Sequence, residues 1–121
     1  AEGALDSFRA SEDTHGIAYV SAFLVAVTLG AGDDRAALHR ARAAVERLPS
    51  TATTGQLLAL GAIAATLAGT PDPDLERCAR DRLSGQARGL ALRTALDDAA
   101  TAPDSVRTRL QDPTWIHRAL W

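Results

Sequence analysis

The chain has 121 residues, 46% of them apolar and 23% charged, with 13 basic side chains against 15 acidic ones for a formal net charge of -2. That length describes one domain, able to bury about two thirds of its unfolded surface and to fold without a metal or disulfide staple. All the bases are arginines spread over several segments and not interleaved with aromatics, which excludes a nucleic-acid-binding stripe.

Cys78 is the only cysteine, so no internal disulfide can form and a reducing, cytoplasmic location is expected. Lys, Asn and Met are absent while Ala, Arg, Gly and Asp abound, the bias of a very GC-rich bacterial genome. Neither a signal-peptide pattern nor a lipidation motif is visible at the ends, so a soluble protein is expected.

Residues 1–12 carry Leu5 and Phe8 three apart, which predicts a loosely held helical turn. Ile17 to Leu29 then runs thirteen residues with only Tyr19, Ser21 and Thr28 as polar-capable side chains. Such a run is too short for a membrane span, which takes roughly 20 residues, and long for a strand. With no wet face in the pattern it reads as a helix surrounded by others, the central element of the fold. Ser11 or Asp13 would cap it, and Gly30 to Gly32 would stop it.

Asp33 and Asp34 predict a second helix to about Leu48, with a narrow apolar stripe of Leu38, Ala41, Val45 and Leu48 and an outer face of His39, Arg40, Glu46 and Arg47. Thr53 and Gln56 form a capping-box pattern ahead of a third helix to about Ala68, again apolar on all sides. Its Gly61 and alanines predict close approach of a neighbour, most simply the first helix. Asp72 and Pro73 open a fourth helix that turns Leu75, Cys78, Ala79 and Leu83 inward. A fifth, from about Gln86 to Ala100, buries Leu92, Ala95, Leu96 and Ala99 and leaves Leu90 on the opposite side. Pro103 starts a short sixth helix to Leu110, and Asp112 with Pro113 starts a terminal one over 113–121.

No strand pattern survives. The predicted architecture is all-α, a single-domain helical bundle of five to seven helices over 1–121, two of them largely buried. Two segments, 23–42 and 61–80, share the order apolar helix, glycine-containing turn, acidic start, arginine-rich helix at an offset of about 37 or 38 residues, which predicts a pair of similar helical hairpins.

Few residues suggest chemistry. Glu12 and His15 stand at i and i+3, as in di-metal bundles, but without the second pair and further glutamates that such a site needs, so no metal is expected. Asp33-Asp34 and Asp97-Asp98 lack the further acid of a cation site. His15 and Tyr19, one turn apart, are the weak candidates for an acid/base pair. Thr14, Ser21 and Thr28 fall seven apart and form one polar stripe. They could line a pocket for a small apolar ligand, or bond back to the carbonyl one turn earlier.

Trp115 and Trp121 are the only tryptophans, both within the last seven residues, and could latch the tail onto its own domain or onto a partner. No nucleotide-binding, hydrolase or zinc motif occurs and no cofactor is expected. The function that assumes least is a non-catalytic protein binding a protein or peptide partner, as a homodimer, through Leu90, Trp115, Trp121 and the arginine-rich faces. The alternative is a small helical enzyme or ligand-binding protein, for example one that tailors bacterial specialised metabolites.

Overall fold

The computed structural model describes residues 14–47, 54–84 and 89–120, of which 14–17 and 54 are described by their backbone only. Expectations for residues 1–13, 48–53, 85–88 and 121, the capping hydroxyls and the terminal Trp121 among them, lie outside the described residues. The described residues form α1 (Thr14–Gly30), α2 (Asp34–Arg47), α3 (Thr54–Leu67), α4 (Pro73–Leu83), α5 (Gly89–Thr101), α6 (Pro103–Leu110) and α7 (Pro113–Leu120), with no strand among them. The all-α reading therefore stands. One apolar cluster draws buried side chains from every helix.

The helix ends follow from local chemistry. Asp33, Asp72 and Asp112 each turn a carboxylate oxygen onto a free amide at a helix start, accepting from Ala36 N at 3.3 Å, Leu75 N at 3.1 Å and Thr114 N at 3.0 Å. Gly32 and Gly69 adopt φ of 91° and 83°, where a side chain would be strained. Around each, two amides return to the last helical carbonyls in a Schellman motif: Gly32 to Leu29 and Asp33 to Thr28, then Gly69 to Thr66 and Thr70 to Ala65. Every donor and acceptor of the second motif lies 37 positions after its counterpart. The expected hairpin similarity is thus a repeated turn, with an additional proline-containing step before the α4 cap.

The central helix is α3. Residues 55–65 are all buried, and α1, α2, α4 and α5 surround them. The first apolar run was expected to hold that place, and this is a correction. α1 buries Ala18, Ala22, Val25, Ala26 and Leu29, but leaves Val20, Leu24 and Val27 in water. Four helices touch it, yet all lie on its other sides. A pattern without a wet face describes composition and cannot by itself supply neighbours.

Three further expectations are corrected by packing. A Cβ on Gly61 would meet the Cβ of Ala41 and a methyl of Leu75 at 3.3 Å, so the helices that come close to it are α2 and α4. That closeness turns the alanine edge of α2 inward: Ala37, Ala41 and Ala44 are buried, whereas Leu38 and Val45 are only half-buried. Cys78 is exposed, because α4 rolls to seat Ala79 and Leu83 on α3. Gln56 is buried, and its amide donates to the Leu120 carbonyl at 2.8 Å, tying α3 to the end of α7.

A polar clasp joins the α1–α2 turn to α6. Arg107 on α6 donates to the Leu29 carbonyl at 2.7 Å and forks onto both Asp34 oxygens at 2.7 and 3.0 Å. The Asp34 hydrogen bonds hold this guanidinium further into its charged form than usual. Gln111 donates to the neighbouring Gly30 carbonyl at 3.1 Å, and a Cβ on Gly30 would come within 2.5 Å of the Leu110 oxygen. Only glycine admits α6 this close.

Arg107→Gln breaks the fork and leaves a largely buried Asp34 without its cation. It is expected to lower unfolding free energy by about 1.5–3 kcal/mol in a urea titration. A loss under about 0.5 kcal/mol, the scale of an unconstrained surface change, would show that the clasp is incidental.

Candidate functional site

The unusual feature of the surface is the outer face of α1. At about 100° per residue, Val20, Leu24 and Val27 fall within an arc of about 60°, opposite Ala18, Ala22, Val25 and Leu29. They are 55%, 48% and 45% exposed. Three of the four exposed large aliphatic side chains among the described residues therefore stand on one stripe of one helix. The inward face holds three alanines beside Val25 and Leu29, while Val20, Leu24 and Val27 stand half in water. The intervals of four and three continue to the exposed Ala31, the spacing of a seam that another helix can read.

Two borders flank the stripe. Towards α2, Ser21 and Leu24 share a hollow of about 230 Å³ with His39, Arg40, Ala43, Ala44 and Arg47. Towards α7, the Tyr19 hydroxyl and His117 Nδ1 share a 2.7 Å hydrogen bond, with the rings edge to face at 6.0 Å. Phe23 tilts against Tyr19 with ring centroids 6.2 Å apart and packs on the core.

The sequence-based candidates sort as follows. Tyr19 pairs with His117, 98 residues away, and the side chains of Thr14 and His15 lie outside the described residues. No local spacing could have announced the Tyr19–His117 pair. Thr28 donates to the Leu24 carbonyl at 2.7 Å, the back-bonded arrangement, so its hydroxyl serves its own helix. Ser21 does line a hollow, but one bordered by basic side chains. Leu90 is 61% exposed on α5, away from the α1 stripe, and Trp115 is half-buried against the core.

A second hollow, of about 200 Å³, opens between α2, α3 and α4 and is lined chiefly by Val45, Leu57, Leu58, Gly61 and Leu75. Neither of these two hollows is lined by Tyr19 or His117. Of the two aspartate pairs, Asp34, Asp97 and Asp98 form tertiary ion pairs, while Asp33 caps α2. Asp97 meets Arg80 at 2.6 Å and Asp98 meets Arg109 at 2.8 Å, joining α5 to α4 and to α6. The bonds to Glu76 and Asp97 hold Arg80 further into its charged form. No group of three or more His, Cys, Asp or Glu side chains that could hold a metal ion occurs among the described residues. No described helix is long and apolar enough to cross a membrane.

Comparison with protein-family models, with curated proteins and with solved structures finds no match for this chain.

Because the stripe is about half exposed and outside the buried core, its removal should spare the fold. The triple variant Val20→Ser, Leu24→Gln, Val27→Ser is expected to stay within about 1.5 kcal/mol of the wild type in urea, against a loss of about 2–5 kcal/mol for Leu60→Ala in the core. A triple variant as damaged as Leu60→Ala would mean that the stripe is structural. Cys78 should likewise react at once with a disulfide reagent in the folded protein, to one thiol per chain; a thiol released only on unfolding would contradict its exposure.

Proposed function

We propose that this protein acts by binding another protein or peptide through the outer face of α1, without catalysing a reaction. The observation that supports this reading is the stripe of Val20, Leu24 and Val27, large aliphatic side chains kept in water on an otherwise well-packed helix. Covering what remains exposed would recover about half of the 1.5–3 kcal/mol that full burial of each side chain is worth, roughly 2–4 kcal/mol for the three. Association costs at least about 4 kcal/mol in lost freedom. The stripe thus serves as the apolar centre of a larger contact, with the basic side chains of α2 and the His117 edge as its rim. A second copy of the chain is one partner that this reading admits. Leu90 on α5 is a separate contact position.

The alternative, a small helical enzyme or ligand-binding protein, is favoured by one observation, the short Tyr19–His117 hydrogen bond. It ranks second because that bond alone points to no ligand, and the two hollows described, about 200 and 230 Å³, are smaller than the roughly 300–1,000 Å³ of typical ligand pockets.

Native mass spectrometry on the protein recovered from its own host tests the choice. The wild type is expected to carry a protein partner that the folded triple stripe variant has lost. A wild type that emerges bare, or a variant that retains the same partner, would overturn the reading. A co-purifying small molecule on an otherwise bare chain would favour the alternative.

A further inference from the structure

The border of the α1 stripe carries a definite charge. Residues 14–31 contain no Asp or Glu at all. On the α2 side, Arg40 and Arg47 line the same hollow as Leu24. Neither forms an ion pair among the described residues; Arg47 turns only its Nε back to the Ala43 carbonyl, at 3.4 Å. The acid of the same helix turn, Glu46, belongs to the other hollow, with Arg42, Val45 and Leu75. His117 edges the opposite side. A chain of net charge -2 thus flanks its exposed apolar stripe with arginines on the α2 side and with His117 on the α7 side.

Resting on the reading that α1 docks a protein, we propose that the occupant is an amphipathic helix of a different protein, with an apolar stripe flanked by Asp and Glu. It lies along α1, its aliphatic side chains between Val20, Leu24 and Val27. One row of its carboxylates reaches Arg40 and Arg47. Helix-in-groove recognition reads such i, i+3, i+4, i+7 anchors, and the flanking charges select the partner.

A second copy meets this border poorly. Pairing α1 antiparallel with its own copy sets the two α2 borders side by side, so that arginine opposes arginine. Pairing it in parallel sets the α2 border of one protomer over the His117 edge of the other. In neither arrangement does α1 or its α2 border supply a carboxylate, and the apolar stripe alone is too narrow for the roughly 800 Å² per partner of a stable contact.

Fluorescence anisotropy with two labelled synthetic peptides tests the proposal. Both are about 18 residues long, enough to run the length of α1, and share one stripe of leucines. One is flanked by glutamates, the other by lysines. The full chain is expected to bind the glutamate peptide at least about tenfold more tightly than the lysine peptide at low salt. Arg40→Glu with Arg47→Glu should abolish or reverse that preference, with a midpoint of thermal unfolding within about 4 °C of the wild type. If that pair unfolds, Arg40→Gln alone should still reduce the preference by at least about twofold.

Equal affinity for the two peptides, or a preference that survives charge reversal, would overturn the acidic partner. If such binding were nonetheless lost in Leu24→Asp, the α1 docking face would stand. Binding unchanged by Leu24→Asp, or no binding of either peptide, would overturn the proposal. Stronger binding to phosphatidylserine vesicles than to the glutamate peptide would point to a lipid surface instead. Sedimentation showing dimers that Leu24→Asp dissociates would point to a second copy.

Discussion

The fold depends on how closely helices can approach α3. Residues 55–65 of that helix are buried, and the position at Gly61 has no side chain to hold neighbours off. The Ala41 methyl and the Leu75 side chain close onto it from α2 and α4. Close approach multiplies short dispersion contacts, individually tiny and collectively large. It also dictates the rotation of the flanking helices. α2 presents Ala37, Ala41 and Ala44, and α4 presents Ala79 and Leu83, because only those edges fit.

The same geometry explains why the surface looks as it does. Rolling α2 onto its alanine edge carries Arg40 and Arg47 to the border of α1, and rolling α4 onto Ala79 carries Cys78 into solvent. α6 and α7 then close the other side. α6 is held by Arg107 and Gln111 at the turn where α1 ends, and α7 by Ile116, Ala119 and Leu120 in the core and by Gln56 at its final carbonyl. With neighbours on every side but one, α1 retains a single open face. Its exposed stripe and cationic border are therefore both consequences of packing around α3.

Much of the local structure was legible in the sequence because its causes act within a few residues. The caps at Asp72 and Asp112, the proline starts at Pro73, Pro103 and Pro113, and the glycine turns at Gly32 and Gly69 need only the backbone groups beside them. The buried set of α5, Leu92, Ala95, Leu96 and Ala99, follows from helical spacing against a polar opposite face, and Leu90 emerges as the odd residue on the wet side. The repeated hairpin was visible for the same reason. Its two Schellman turns are local hydrogen-bond patterns that recur in the chain.

The candidate site was much less legible. The runs over α1 and α3 are alike in composition, and neither has a polar face to announce which side meets water. An apolar residue is stabilised by whatever neighbour excludes solvent, and a helix supplies no such neighbour to itself. Likewise, nothing near Tyr19 in the chain indicates His117, and nothing near Asp34 indicates Arg107, because those partners are separated by 98 and 73 residues. The sequence by itself determined that this protein is helical, the caps and turns at Gly32, Gly69, Asp72, Pro103 and Asp112 where described helices begin or end, and which helices are apolar. Only the tertiary structure decided that α3 is enclosed while α1 keeps Val20, Leu24 and Val27 in water beside Arg40 and Arg47, because burial belongs to the arrangement of several helices, and propensity and capping to each one alone.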